Sequence, residues 1–181
     1  EDAIRYRRYL FDKTKSRYSM DWFYPVLSGA LTGMEAKKRI DKYWNKFVVE
    51  GLGVRCVSDS PWITMAESSE LIIALAAMGS PDLAETLLMW ILNKRHEDGS
   101  YYCGITFPDM VIWPEEKYSW TNAVVMMAAD ALYHITPASQ IFNHSFWKEG
   151  QKTPMYRFLK KRHPIFSIKE AFCSHMQDMR A

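Results

Sequence analysis

With 181 residues, 48% hydrophobic and 24% charged, the chain falls in the range of folded globular proteins and is long enough to bury one core. No apolar run reaches the roughly 18 residues of a membrane-spanning helix, since Leu71 to Met78 ends at Gly79-Ser80-Pro81. The net charge of +2 divides unevenly: residues 144–181 carry eight Lys and Arg against three Asp and Glu, and residues 1–143 carry fifteen against eighteen. A domain over 1–143 and a basic helical tail over 144–181 are expected, with no nucleic-acid partner.

In chain order, apolar residues at helical spacing predict helices near 3–12, 20–31, 34–48, 65–78, 82–96, 122–134, 154–162 and 167–178. Strand-like alternation is confined to pieces such as Ile105 to Phe107. The opening residues carry no apolar signal-peptide core, and Cys56, Cys103 and Cys173 are too widely spaced for a disulfide framework or a metal knuckle. A cytoplasmic protein with reduced thiols is expected. Thr64 with Glu67 has the spacing of a capping box, in which each side chain satisfies a free backbone N–H, and Ser80-Pro81-Asp82 reads as a second helix start.

Internal repeats are visible. A shift of 48 residues lays Asn45-Lys46 on Asn93-Lys94 and Glu50-Gly51 on Asp98-Gly99; a shift of 57 lays Thr64 on Thr121 and Ala74-Leu75 on Ala131-Leu132. The segments from Trp62 and from Trp120 are rich in small apolar residues, whereas 34–48 and 82–96 are charged along one face. An inner and an outer layer of helices follow.

The stretch Leu87-Leu88-Met89-Trp90 through Glu97-Asp98-Gly99-Ser100-Tyr101-Tyr102, then Ser119-Trp120-Thr121-Asn122-Ala123, resembles the repeat of terpenoid cyclases and prenyltransferases. Glu97 stands where that family usually has Gln, and Tyr101 where it has Trp. The turn Gly51-Leu52-Gly53-Val54-Arg55-Cys56 is similar to one in uncharacterised bacterial prenyltransferase-like proteins. The resemblance implies an all-α fold in which repeated helical hairpins form part or all of an α/α-toroid. The Asp-rich motif of class II cyclases is absent, and only Cys103 with His96 could echo the family's zinc ligands, so neither metal nor cofactor is expected.

Candidate sites follow from residue type. The long loop 98–121 interleaves Tyr101, Tyr102, Phe107, Trp113, Tyr118 and Trp120 with Asp98, Asp109, Glu115 and Glu116. Aromatic rings stack on sugars and paired carboxylates do acid and base work, so Asp109, Glu115 and Glu116 are the catalytic candidates. Trp62, Glu67, Tyr102, Trp113, Tyr118 and Trp120 are the substrate-binding ones. The competing reading packs the rings on the helices and leaves the carboxylates in solvent. Glu70, beside Glu67 and Trp62 at the start of an inner helix, is a second candidate site, against which Glu67 has its capping role. Asp130 is either a paired acid or faces a polar cavity, and Arg55 either binds an anion or pairs with Asp59.

Two functions from different classes fit these residues. One is a prenyltransferase- or terpenoid-cyclase-like toroid acting on an isoprenoid-linked or glycan substrate in an aromatic and acidic cavity. The other is a non-catalytic helical scaffold, a homo-oligomer or a binder of a partner chain through its open edge. The basic stretch 151–163, with Lys152, Arg157, Lys160, Lys161 and Arg162, has the pattern of a helix that makes peripheral membrane contact.

Overall fold

The computed structural model describes residues 13–144. The helices expected near 3–12, 154–162 and 167–178, and the basic stretch 151–163, lie outside those residues. Among the described residues are five α-helices: α1 (Ser19–Leu27), α2 (Gly33–Phe47), α3 (Met65–Ala77), α4 (Pro81–Ile91) and α5 (Ser119–Tyr133). Four short strands complete them: β1 (Val48–Val49), β2 (Gly53–Arg55), β3 (Trp62–Thr64) and β4 (Gly104–Thr106).

Helix α3 is the centre. Its residues from Met65 to Leu75 are buried except for Glu70, as a helix apolar on all sides requires, and it packs against α1, α4, α5 and β2. The neighbours turn one apolar stripe inward: Ala84, Leu87, Leu88 and Ile91 on α4, and Thr121, Val124, Val125, Ala128 and Ala131 on α5. Helix α1 is locked to α2 by Trp22, whose ring stacks on Phe47 at 5.2 Å and whose indole N–H donates to the Arg39 carbonyl at 2.9 Å. Arg39 returns a bond from Nε to the Trp22 carbonyl at 2.7 Å. An aromatic pair and two reciprocal hydrogen bonds thus fix one crossing.

The strands form one antiparallel sheet in the order β1-β2-β3-β4, with Val54 opposite Thr64, Ile63 opposite Ile105, and Thr64 opposite Gly104. Strand β3 runs into α3 with no loop between Thr64 and Met65. The junction is held by Ser68, whose hydroxyl accepts from the Val54 N–H at 2.8 Å and donates to the Thr64 carbonyl at 2.6 Å. That close approach of helix to strand leaves room only for glycine at 53.

The sheet corrects the sequence-based fold. The all-α, toroidal expectation fails because the described residues mix helices with a four-stranded antiparallel sheet, an α+β arrangement. The toroid description falls with it. The physical reason lies in the repeated acidic-glycine turns. Gly51 and Gly99 both adopt positive φ, 76° and 86°, but the first closes the β1–β2 hairpin and the second sits inside the Arg95–Tyr101 bridge. These turns connect extended segments where helical hairpins were expected. The capping boxes also differ: Thr64 and Ser80 are N-cap residues without a side-chain cap bond, and the Thr64 hydroxyl bonds the Glu67 carboxylate instead.

Gly53 tests this packing. Its φ is +137°, and an added Cβ would meet Ser68 Oγ at 2.5 Å and Ile63 Cγ2 at 3.2 Å. Gly53→Ala is expected to destabilise the protein by about 2–3 kcal/mol in a denaturant titration, through strain and the loss of the Ser68 bridge. Gly51→Ala, where a Cβ would enter open space at φ +76°, should cost only about 1 kcal/mol.

Candidate active site

The alternation of β3 puts Trp62 and Thr64 on one face and buried Ile63 on the other. The register brings Gly104 opposite Thr64, and the Cys56 N–H donates to the Trp62 carbonyl at 3.2 Å. Because α3 starts immediately, Glu67 comes back within reach of the Thr64 hydroxyl. Glu67 is only 8% exposed, and it also accepts a hydrogen bond from the Cys56 thiol. Glu70 follows one helical turn later, so the two carboxylates share a side of the helix with Cβ atoms about 5–6 Å apart. From α1, the Tyr24 hydroxyl lies 3.2 Å from each carboxylate oxygen of Glu70.

The electrostatics of this cluster follow from burial and from two acids side by side. Burial first, and then the charge of Glu67, push Glu70 up to about 7; the hydrogen bond from Tyr24 pulls partly the other way. Tyr24 is pushed up to about 12 by burial and by the neighbouring glutamates. Cys56 reaches about 12 for the same reasons, burial leading and Glu67 next, and Cys103 is raised by burial, Glu67 and Glu116. Phenol and thiols therefore keep their protons at neutral pH, while Glu70 exchanges its own there. Tyr24 also lines an open groove of about 860 Å³, together with Lys15, Tyr18, Met20, Leu27 and Phe142.

Two aromatic rings complete this face. The half-buried Trp62 lies across Gly104, where a Cβ would also press to 2.7 Å from the Ile63 carbonyl. Its indole N–H donates to the Trp113 carbonyl at 2.6 Å, and the two rings meet edge to face at 5.2 Å and 76°. The Trp113 N–H in turn donates to the Gly104 carbonyl at 3.0 Å, and its side chain stays 57% exposed.

Of the residues expected from the sequence, the structure brings together Trp62, Trp113 and, through Thr64, Glu67. Tyr102 is half-buried against the core, its ring edge-on to His96 at 4.8 Å. Tyr118 and Trp120 are exposed at the start of α5, where the Tyr118 carbonyl accepts from the Asn122 side chain at 3.0 Å. Asp109, Glu115 and Glu116 are exposed on the loop; the field of Glu116 reaches Cys103, which Glu67 also influences. Tyr24 and Cys56 were not anticipated, since they come from elements distant in sequence. The available signal was Glu67 and Glu70 three residues apart as the two charged residues of the helix.

Other acids have structural partners. Asp98 accepts from Ser100 and from Lys117 Nζ at 2.6 Å, and these bonds hold its carboxyl well below the usual range. Asp130 accepts from the Thr136 N–H at 2.6 Å and hydroxyl at 2.8 Å, closing the turn after α5. Asp59 pairs with Arg17 at 2.9 Å rather than with Arg55, whose guanidinium lies over the Phe107 ring at 5.7 Å. Among the described residues, no three His, Cys, Asp or Glu side chains converge as a metal set, and no helix is long and apolar enough to cross a membrane.

Comparison with known proteins redirects the functional reading. The chain is 50% identical over 129 residues to a protein of Mycolicibacterium hassiacum named MMP endo-(1,4)-3-O-methyl-alpha-D-mannosidase. The match covers 71% of this chain and 36% of that protein, so the chain spans about a third of the length of the curated relative it matches. No family model matches the chain. The finding corrects the expected membership among terpenoid cyclases and prenyltransferases and the isoprenoid function attached to it: the likeness is to a protein named as a glycan hydrolase. The scaffold alternative rested on the open edge of a toroid and goes with the toroid. Of the expected ligand classes, a glycan is the one compatible with the relative.

The raised Glu70 has a consequence for stability. A carboxyl whose folded-state value lies near 7, above its ordinary 4.5, favours folding below pH 4.5, and this contribution is lost as pH rises through about 7. Stability measured by chemical denaturation should fall by about 1–2 kcal/mol between pH 5 and pH 8, after discounting for the solvent that reaches this group. Glu70→Gln should remove most of that pH dependence.

Proposed function

We propose that this chain carries the proton-donating side of a glycoside hydrolase site that cuts a (1,4)-linked 3-O-methyl-α-mannoside chain at internal bonds, with Glu70 as the general acid. The observation that carries this reading is the half-buried position of Glu70 one helical turn from the buried Glu67, with the Tyr24 hydroxyl anchoring its carboxyl group. Half of the chemistry of glycoside cleavage is delivery of a proton to a leaving oxygen, and that needs a carboxyl still protonated near neutral pH. The likeness to a mannosidase supports the substrate class.

In this mechanism the Glu70 carboxyl gives its proton to the glycosidic oxygen while the bond from that oxygen to C1 breaks and its electron pair moves onto the oxygen. The leaving sugar departs as an alcohol. A water oxygen bonds to C1 and surrenders a proton to a second carboxylate. One of the loop carboxylates Asp109, Glu115 and Glu116 is the candidate for that second role. Glu67 keeps Glu70 loaded by opposing its ionisation, and the Tyr24 hydroxyl anchors the carboxyl group. A cytoplasmic setting is part of the proposal and is supported by the free thiols Cys56 and Cys103.

The test is hydrolysis of a methylated α-mannoside oligosaccharide by the full-length protein, followed by release of reducing ends. Activity should fall as pH rises through about 7, because the acid must be protonated. Glu70→Gln should lower kcat by about 10²–10⁴-fold. Tyr24→Phe removes a bond that favours the ionised carboxylate, so it should move the falling limb of the profile to higher pH. Hydrolysis by Glu70→Gln at the parent rate would refute the assignment.

A further inference from the structure

We infer that Trp113, braced by Trp62, forms a sugar-stacking subsite that selects O-methylated over unmethylated mannosides. The inference rests on the glycoside hydrolase reading for its substrate, but its geometry is independent of Glu70. Large aromatic side chains are normally packed away, yet the Trp113 indole stays 57% exposed while its surroundings are fixed from three directions. The edge-to-face contact of Trp62 at 5.2 Å steadies the ring. The Trp62 indole N–H holds the Trp113 carbonyl at 2.6 Å, and the Trp113 N–H reaches the Gly104 carbonyl at 3.0 Å.

A ring held in this way is preorganised: little further ordering is lost when a flat apolar ligand stacks on its open side. The absence of a side chain at Gly104 is what admits Trp62 beneath it, so the support is built into the sheet. Met110 and Val111 add apolar surface to the same turn, which also carries the exposed Asp109. Met110 is 45% exposed and Val111 53%, on a tight turn in which the Thr106 hydroxyl accepts from the Val111 N–H at 3.2 Å.

The chemistry of the sugar decides what such a surface prefers. An unmethylated mannose presents a hydroxyl at every free position and loses hydration when it is pressed onto an indole. A 3-O-methyl group removes a hydroxyl donor and adds a methyl that gains by leaving water. An exposed Trp with Met110 and Val111 beside it in sequence thus favours the methyl ether where the sugar stacks.

The experiment separates this inference from the catalytic one. Full-length Glu70→Gln protein, which should not consume its ligand, is titrated with a 3-O-methylated α-(1,4)-mannoside oligosaccharide and with its unmethylated counterpart, read by calorimetry and tryptophan fluorescence. The methylated chain should bind at least about tenfold more tightly, the scale expected of a methyl group in an apolar site. Adding Trp113→Ala should weaken methylated binding by about tenfold and erase the preference, while Trp113→Phe, which keeps a ring, should retain part of both. With Glu70 intact, the loss in Trp113→Ala should fall on KM. Equal affinity for the two sugars, no binding of the methylated one, or unaltered binding by Trp113→Ala would overturn the subsite. Trp113-dependent binding without hydrolysis by the parent enzyme would instead sink the catalytic reading and leave the subsite standing.

Discussion

The rest of the structure depends on one constraint: strand β3 becomes helix α3 without an intervening loop, and Ser68 ties the two together. Its hydroxyl bridges the Val54 N–H and the Thr64 carbonyl, satisfying a donor that would otherwise be stranded inside the core. Only glycine at 53 lets the helix approach so closely. This junction sets where the first two turns of α3 point. It thereby presents Glu67 to Thr64 and Cys56, and Glu70 to Tyr24. Altering the junction would displace every polar group of the cluster at once.

Electrostatics act on top of this junction. A buried carboxylate is costly unless hydrogen bonds replace the water it has lost, and two such groups on one helical turn also repel. Glu67 is compensated by the Thr64 hydroxyl and the Cys56 thiol, both of which remain protonated donors at neutral pH. Glu70 has one partner, Tyr24, and meets the repulsion by holding its proton. The asymmetry of partners sets Glu70 apart as the acid that holds its proton. Perturbed acids of this kind concentrate at functional sites, although ion-pair networks in structural cores perturb them too.

The helices were legible in the sequence because their apolar spacing is strong over ten or more residues. Helices α2, α3 and α5 fall close to the expected spans, and α4 begins at Pro81 as its Ser-Pro-Asp start implied. The sheet was illegible for a physical reason: its strands are two or three residues long, too short for alternation to register, and only Ile105 to Phe107 gave a trace. The recurrent acidic-glycine turns were real as turns, but positive φ at Gly51 and Gly99 serves a strand connection as well as a helical one. That ambiguity led to the toroid. The site was half legible. Trp62, Trp113 and Glu67 could be chosen by residue type, but Tyr24 lies 46 residues from Glu70, and Cys56 reaches Glu67 only through the strand register. The loop acids were favoured for their number, whereas burial, which the sequence does not display, distinguishes Glu70.

The central claim is that this cluster keeps a glutamic acid protonated near neutral pH, and the titration of that carboxyl tests it most directly. Carbon-13 NMR of the glutamate side chains, with Glu70 assigned by its absence in Glu70→Gln, should show a midpoint near 7, falling toward the ordinary value when Glu67 is replaced by Gln. A midpoint near 4.5 in the unaltered protein would contradict the account.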